Sequence, residues 1–326
     1  MVRPRIGFLG VGWIGRHRME AMLATGAIDA AAIADPSDEM ATEALKLAPG
    51  AKRVDGLDGL LAERLDGIVI ATPSALHAEQ SIKALSGGAA VFCQKPLGRT
   101  AAEASAVVEA ARLADRLLSV DFSYRFTEGM QRIRALIDAG ELGSVFACDL
   151  VFHNAWGPDK AWFYDPALSG GGCVMDLGVH LVDLALWTLG FPQVTGASSQ
   201  LVSKGEPLRE GVVEDYAVAQ LDLAGGTSLR LACSWNLPAG QEAVISAAFY
   251  GTGGGAALKN IRGSFYDFTA EQYRGTATET LVSPPDDWSG RAAADWAVRL
   301  GNGTRFDPEA ERLVTVAQAL DRIYGR

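Results

Sequence analysis

The sequence predicts two domains of different class: an α/β domain built on a doubly wound parallel sheet, then an α+β domain with a mainly antiparallel open sheet. Three observations carry that prediction. At 326 residues the chain exceeds one ordinary domain. Up to about residue 122, short and wholly apolar runs alternate with stretches of helical spacing, the pattern of βαβ units whose strands are covered on both faces. From residue 123 the texture changes, and strand-length runs follow one another across glycine turns. The boundaries drawn are 1–122, 123–288 and a closing helical stretch, 289–326, read as packing back on the first domain.

In the first domain the strand-length runs are residues 6–9, 30–34, 67–71, 89–92 and 117–120, and helices are expected over 14–25, 75–86 and 101–114. In the second, a helix over 129–139 ends at Gly140, and a strand over 145–153 leads into an aromatic loop. A helix over 174–189 follows, ended by Gly190. Further strands are expected at 216–223, 227–235, 243–250 and 265–268. In the closing stretch, Asp307-Pro308 reads as an N-cap and first-turn pair.

Composition narrows the function classes. Hydrophobic residues make up 48% of the chain and charged residues 21%, enough for a sizeable core. A net charge of −10 argues against nucleic-acid binding, which needs a basic face. No run of about 18 apolar residues suggests a membrane span, and residues 1–10 read as a strand and not as a signal peptide. Cys93, Cys148, Cys173 and Cys233 are scattered without a C-x-x-C pair, so neither a zinc site nor a redox dithiol is indicated. Reduced thiols in a cytoplasmic protein are expected.

Gly10-Val-Gly12-Trp-Ile-Gly15 matches G-x-G-x-x-G, directly after an apolar strand and opening an amphipathic helix. That context makes it a Rossmann dinucleotide turn. Gly10 allows the tight bend, Gly12 lets the backbone approach a pyrophosphate, and Gly15 permits close helix packing. The N–H groups and dipole of the helix start face the phosphates, with Trp13 and Ile14 beside them. Asp35 ends the second strand twenty residues after Gly15, where a carboxylate accepts hydrogen bonds from ribose hydroxyls. A 2′-phosphate would be repelled there, and no Arg or Lys follows closely, so NAD is favoured over NADP. The bland alternative for Asp35 is a cap on the helix that begins near Asp38.

With these motifs the chain resembles the Gfo/Idh/MocA oxidoreductases, the family of glucose–fructose oxidoreductase and inositol dehydrogenase, over nearly its whole length. Residues Ala71-Thr72-Pro73-Ser-Ala-Leu-His77 resemble the family's A-T-P-N-x-x-H segment, with Ser74 in place of Asn. Gln94-Lys95-Pro96 resembles its E-K-P motif. Tyr124-Arg125-Phe126 and residues 136–143 resemble the entry to the second domain. Gly170-Gly-Gly-Cys-Val-Met-Asp176-Leu-Gly-Val-His180-Leu-Val-Asp183 resembles G-G-G-x-x-x-D-x-G-x-H-x-x-D. The resemblance implies a nicotinamide-dependent dehydrogenase of a sugar, inositol or related polyol. Its cofactor would be held by Gly10, Gly12, Trp13, Ile14, Gly15, Asp35, Thr72, Pro73, His77, Gln94 and Lys95.

Asp176, His180 and Asp183 are spaced by four and three, which on a regular helix places them in one stripe running on to Trp187. Such a face is costly to bury unless its groups pair or serve a purpose. No second histidine joins them at ligand spacing, so no metal is expected. Oxidising an alcohol needs a hydride acceptor, a base for the hydroxyl proton, and donors or positive charge near the developing alkoxide. By resemblance His180 is the base, in keeping with an intrinsic pKa of about 6.5. Lys95, at a strand end on the ligand side of the sheet, stabilises the alkoxide. Asp176 orients the substrate or holds the cluster together, and the resemblance implies that Lys95 meets Asp176 and His180 beside the nicotinamide. Gln94 departs from the usual Glu, keeping an acceptor oxygen but losing the charge.

The loop from His153 to Asp165, with Trp156, Lys160, Trp162 and Tyr164, is read as a substrate wall in which rings stack on sugar C–H faces. Tyr124, Arg125 and Trp235 are weaker candidates of the same kind. An uncovered face of the strand-rich segment 193–281 points to a homo-oligomer, and the resemblance implies a homodimer or homotetramer. Two other readings remain at this stage: a glycosidase that retains NAD and uses transient oxidation, and a non-catalytic NAD-binding sensor.

Overall fold

The apolar runs of the N-terminal part become the strands of a parallel sheet. The computed structural model describes residues 2–326. The chain divides into two units, one of residues up to Asp121 with Gly290–Val314, the other of Phe122–Ser289 with Thr315–Arg326.

In the first unit, strands and helices alternate as β1 (Arg5–Leu9), α1 (Trp13–Ala24), β2 (Asp29–Ala34), α2 (Asp38–Leu47), β3 (Lys52–Arg53), α3 (Gly56–Ala62), β4 (Gly67–Ile70), α4 (Ser74–Ser86), β5 (Ala90–Cys93), α5 (Ala101–Ala114) and β6 (Leu118–Val120). The sheet order is β3-β2-β1-β4-β5-β6, and every pair is parallel. β4 and β5 are buried along their whole length, which is why their sequences show no polar alternation. β3 and α3 were not anticipated; β3 is two exposed residues with no apolar pattern to betray it. The strand order reverses between β1 and β4, and in such a sheet the carboxyl ends flanking the reversal open a ligand crevice. The glycine turn after β1 and the 71–73 segment after β4 both stand there.

The second unit runs α6 (Glu128–Asp138), β7 (Val145–Asn154), α7 (Pro166–Ser169), α8 (Val179–Thr188), β8 (Val194–Ser203), β9 (Glu206–Pro207), β10 (Tyr216–Leu223), β11 (Ser228–Ser234), β12 (Ala243–Gly251), β13 (Gly255–Asn260), β14 (Phe268–Arg274) and β15 (Ala277–Val282). Its nine strands are ordered β15-β14-β13-β12-β7-β11-β10-β8-β9. All neighbours are antiparallel except β7 and β11. α6 and α8 cover one face, onto which β7 turns Cys148, Leu150 and Phe152. The opposite face carries a row of small residues in register across four strands: Val218, Ala232, Val151 and Ser246.

Two expectations are corrected here. Residues 265–268 are not a strand; the Ser264 hydroxyl accepts from the N–H groups of Tyr266 and Asp267, bending the chain before β14 begins at Phe268. β8 escaped notice because it is polar and half-exposed and lacks the alternation that marks a strand. After Ser289 the chain is shared between the units. α9 (Arg291–Gly301) belongs to the first, where Trp296 is buried and packs on Phe92 with ring centroids 5.9 Å apart. α10 (Arg312–Tyr324) follows, and its residues from Thr315 onward belong to the second. Among the described residues no helix is long and apolar enough to cross a membrane.

Candidate active site

The three glycines of the first turn are each explained by their surroundings. Gly10 has φ +82°, and a Cβ there would lie 2.5 Å from the Ala71 carbonyl oxygen. A Cβ on Gly15 would lie 2.1 Å from the Gly10 oxygen, so α1 packs directly on the turn. Around Gly12 nothing stands within 4 Å, which leaves room for a group to approach the backbone. Gly12 is also the N-cap of α1, and no side chain caps the helix, so its first N–H groups suit an anion. Trp13 is exposed and stacks on His17, with Ile14 half-buried behind it.

Asp35 is pinned beside this turn. Its Oδ2 accepts from the Val11 N–H at 2.7 Å and its Oδ1 from the Ser37 N–H at 2.8 Å. The cap of α2 is Ser37, which disposes of the capping reading for Asp35. Each carboxylate oxygen keeps a further lone pair for a ribose hydroxyl.

Thr72 donates its hydroxyl to Gln80. His77 is 1% exposed, with one ring nitrogen 2.7 Å from the Thr72 carbonyl and the other 2.7 Å from the Pro96 carbonyl. Burial lowers its pKa more than the two carbonyls raise it. The expectation that His77 touches the cofactor is therefore corrected: its ring braces the 72–73 segment against the turn that carries Lys95.

Gln94 owes its identity to a neighbour distant in sequence. Its amide nitrogen donates to Asp121 Oδ2 at 2.5 Å, the same oxygen that accepts from Arg18 Nε at 2.5 Å. Arg18 and Asp121 are both buried. A Glu at position 94 would set a second carboxylate against Asp121, whereas an amide adds a donor to the pair. Lys95 follows at the end of β5, half-buried.

In the second unit, Asp176 and His180 sit where the chain turns from a wide helical turn, Val174–Gly178, into α8. Asp176 Oδ2 accepts from the indole N–H of Trp235 at 3.0 Å. The His180 ring meets Tyr124 edge-on at 5.0 Å, and Phe152 lies 6.3 Å away. Tyr124 is buried against Trp288, and burial pushes its hydroxyl well up, so it stays protonated.

The expected single stripe is not one regular helical face: Val174–Gly178 is a wide turn, and Asp176 and Asp183 go to different partners, Trp235 and Arg125. Asp183 is 1% exposed and is paired through both oxygens with Arg125, Nε to Oδ2 being 2.8 Å and Nη2 reaching Oδ1. The rings of Phe122 and Phe191 flank the guanidinium at 5.2 and 5.4 Å. Arg125 is thus taken up by the core and is withdrawn as a substrate reader. Burial pushes the Asp183 carboxyl up by more than the guanidinium pulls it down.

The aromatic loop divides. Tyr164 and Phe163 abut Trp235, with centroids 5.6 and 6.2 Å away, and Trp162 stacks on Phe163 at 3.8 Å. Trp235 therefore links this part of the loop to Asp176. Trp156, half-exposed, leans on Phe265 at 6.5 Å, while Lys160 pairs with Asp159 at the surface. His153 is corrected. Successive strand residues point to opposite faces, and Phe152 takes the face that meets His180. His153 lies on the other, its Nδ1 2.7 Å from the Ser234 hydroxyl and its ring stacked on Tyr216.

Sequence reasoning missed Phe152, Trp288 and Glu214. No spacing ties them to residue 180 or 172, and only tertiary pairing brings them there. Among the described residues, no three His, Cys, Asp or Glu side chains are grouped to hold a metal ion.

Two descriptions match the chain: the GFO/IDH/MocA oxidoreductase family with its NAD-binding Rossmann fold over residues 4–122, and the GFO/IDH/MocA C-terminal domain over residues 130–257. D-glucoside 3-dehydrogenase of Escherichia coli is 29% identical over 212 residues, covering 61% of this chain and 60% of that protein. Inositol 2-dehydrogenase of Rhodococcus erythropolis is 33% identical over 225 residues, covering 68% and 62%. The chain thus spans about three fifths of the length of these curated relatives. Levoglucosan dehydrogenase, solved with NADH and levoglucosan, superposes with a TM-score of 0.85 at 20% identity, covering 99% of this chain and 97% of that one. At that identity the likeness is one of fold.

Proposed function

This chain belongs to the GFO/IDH/MocA oxidoreductase family, and on that premise we propose that it transfers a hydride between a nicotinamide cofactor and a secondary alcohol of a sugar, inositol or related polyol. The observation that carries the reading is the glycine turn. Gly10 and Gly15 are closed in by backbone while the side of Gly12 is open, the division that a pyrophosphate site needs. Gly10, Gly12, Trp13, Ile14 and Gly15 hold the phosphates, Asp35 the ribose, and Thr72, Pro73 and Gln94 border the nicotinamide end. His77 acts on these loops from behind. Asp35, followed by Asp38 and Glu39, disfavours a 2′-phosphate, so NAD is the partner. When bound, the cofactor supplies the hydride acceptor or, in reverse, the donor.

The chain's own groups handle the proton and the charge. Lys95 donates an N–H to the reacting oxygen and favours the alkoxide. His180 takes the hydroxyl proton and returns it in the reverse direction. Asp176, its carboxylate oriented by Trp235, aligns the substrate beside His180. Tyr164, Trp162 and Trp156 offer ring faces to sugar C–H groups, and Tyr124 adds a protonated hydroxyl. The small-residue row on the uncovered sheet face fits a second copy, giving a homodimer or homotetramer acting in the cytoplasm.

The deciding experiment is a panel of sugars and polyols, including myo-inositol, methyl glucosides and levoglucosan, followed by NADH absorbance with NADP in parallel. At least one member should yield NADH. Lys95→Ala and His180→Ala should each lose about 100-fold or more in turnover while NADH still binds. Tightly held NAD with no net NADH across the panel would refute the dehydrogenase reading and favour the transient-oxidation glycosidase. A monomeric mass at micromolar concentration removes the oligomer.

A further inference from the structure

We infer that Glu214, with Tyr324 near the end of the chain, is a positioning residue that locks the turn carrying Asp176; the inference rests on the role proposed for Asp176 above. Glu214 lies just before β10 and is 1% exposed. Its Oε1 accepts from the N–H of Gly172 at 2.9 Å, the N–H of Val174 at 2.9 Å and the hydroxyl of Tyr324 at 2.7 Å. Its Oε2 lies 3.0 Å from the Gly172 nitrogen, and its main-chain oxygen accepts from the Cys173 N–H at 3.0 Å. Three successive residues, Gly172 to Val174 at the entry to the turn, are therefore tied to one residue just before β10.

The tie reaches Asp176 in a single further step. The Gly172 carbonyl accepts from the Asp176 N–H at 3.1 Å. Asp215, next to Glu214, accepts through its carbonyl from the Trp235 N–H at 2.7 Å, and the Trp235 indole holds the Asp176 carboxylate. The Glu214-Asp215 pair thus governs both the backbone and the side chain of Asp176. The turn it governs is the wide one, Val174–Gly178, a geometry that persists where surrounding contacts impose it.

The triple glycine has the same explanation. A Cβ on Gly171 would lie 2.0 Å from the Tyr324 hydroxyl oxygen, and one on Gly172 would lie 1.9 Å from the Glu214 main-chain oxygen. These glycines admit the clamp. Arg326 closes it from outside, donating to the Gly170 carbonyl at 3.2 Å with its guanidinium 4.6 Å over the Tyr324 ring. Burial pushes the Glu214 carboxyl up while its donors pull it back. For packing alone, an apolar side chain would serve at lower cost.

The test compares Glu214→Gln and Tyr324→Phe with the wild-type full chain by hydrogen–deuterium exchange, NADH binding and steady-state kinetics on the panel member turned over fastest. Exchange over residues 172–178 should accelerate about tenfold or more in Glu214→Gln, and less in Tyr324→Phe, with residues 4–120 unchanged. Turnover should fall about tenfold while KM stays within about threefold and NADH affinity within about twofold. Unaltered exchange in both variants overturns the clamp. Faster exchange with wild-type kcat overturns the positioning role. A wild-type protein inactive on the whole panel counts against the proposed function, and exchange still judges the clamp. Should Glu214→Gln fail to fold, Tyr324→Phe, which removes one hydroxyl, carries the test.

Discussion

Replacing Arg125 by Met keeps an unbranched stem but removes the guanidinium that grips both oxygens of Asp183. The carboxylate is then stranded in the core, since Asp183 is 1% exposed. Breaking a buried ion pair in this way costs about 3–5 kcal/mol. The Arg125 side chain is 19% exposed, so water reaches the pair and the lower end, about 3 kcal/mol, applies. For a unit of this size that lowers the melting temperature by roughly 6–12 °C at neutral pH. The pH dependence has a definite sign. Burial already holds the Asp183 carboxyl above its ordinary value, with the guanidinium as the opposing pull. Loss of that pull raises it further. A carboxyl with a raised folded value favours the folded state below its unfolded value, and that contribution is lost as pH rises through the folded one. The penalty should therefore be small near pH 4–5 and grow upward, by at most about 1.4 kcal/mol per pH unit. Far-UV circular dichroism melts from pH 5 to 8 measure it, with Arg125→Met/Asp183→Asn expected to recover most of the loss. A variant melting within about 1 °C of wild type at pH 7, or an equal penalty at pH 5 and pH 8, refutes the reasoning. Because Asp183 lies on α8 one turn beyond His180, turnover should fall along with stability.

Three further outcomes are expected. Gly12→Ala should melt like wild type, because its Cβ enters open space, yet weaken NADH binding about tenfold or more; Gly15→Ala, meeting the Gly10 oxygen at 2.1 Å, should lose stability as well. Fluorescence titration with NADH and differential scanning fluorimetry separate the two, and equal affinity in Gly12→Ala would count against the phosphate site. Trp235→Phe removes the donor to Asp176 and should lower kcat about tenfold with NAD affinity unchanged; wild-type kcat would show that the bond is idle. All four cysteines are buried, and burial pushes the Cys93 and Cys148 thiols up to about 12. Ellman's reagent should leave the native protein unlabelled and titrate four thiols in guanidinium, so a fast native reaction at any of them contradicts this packing.

Features that depend on neighbours along the chain could be read from the residues alone. The burial of β4 and β5 on both faces is written in their unbroken apolar runs, and the steric roles of Gly10, Gly12 and Gly15 follow from their spacing next to a strand. Asp176 and His180 were candidates through their spacing and through the resemblance carried by residues 170–183. Features that depend on a partner far away in sequence emerged only from the folded chain. Gln94 makes sense only once Asp121, 27 residues on, lies against it. Arg125 passes from ligand reader to core ion pair because Asp183 is buried beside it, and His153 leaves the site because the pleat turns it away from the face that α8 covers. Glu214 was invisible for the same physical reason: hydrogen bonds and ion pairs fall off within a few ångströms, and that proximity is set by the packing of sheet and turn, not by distance along the chain.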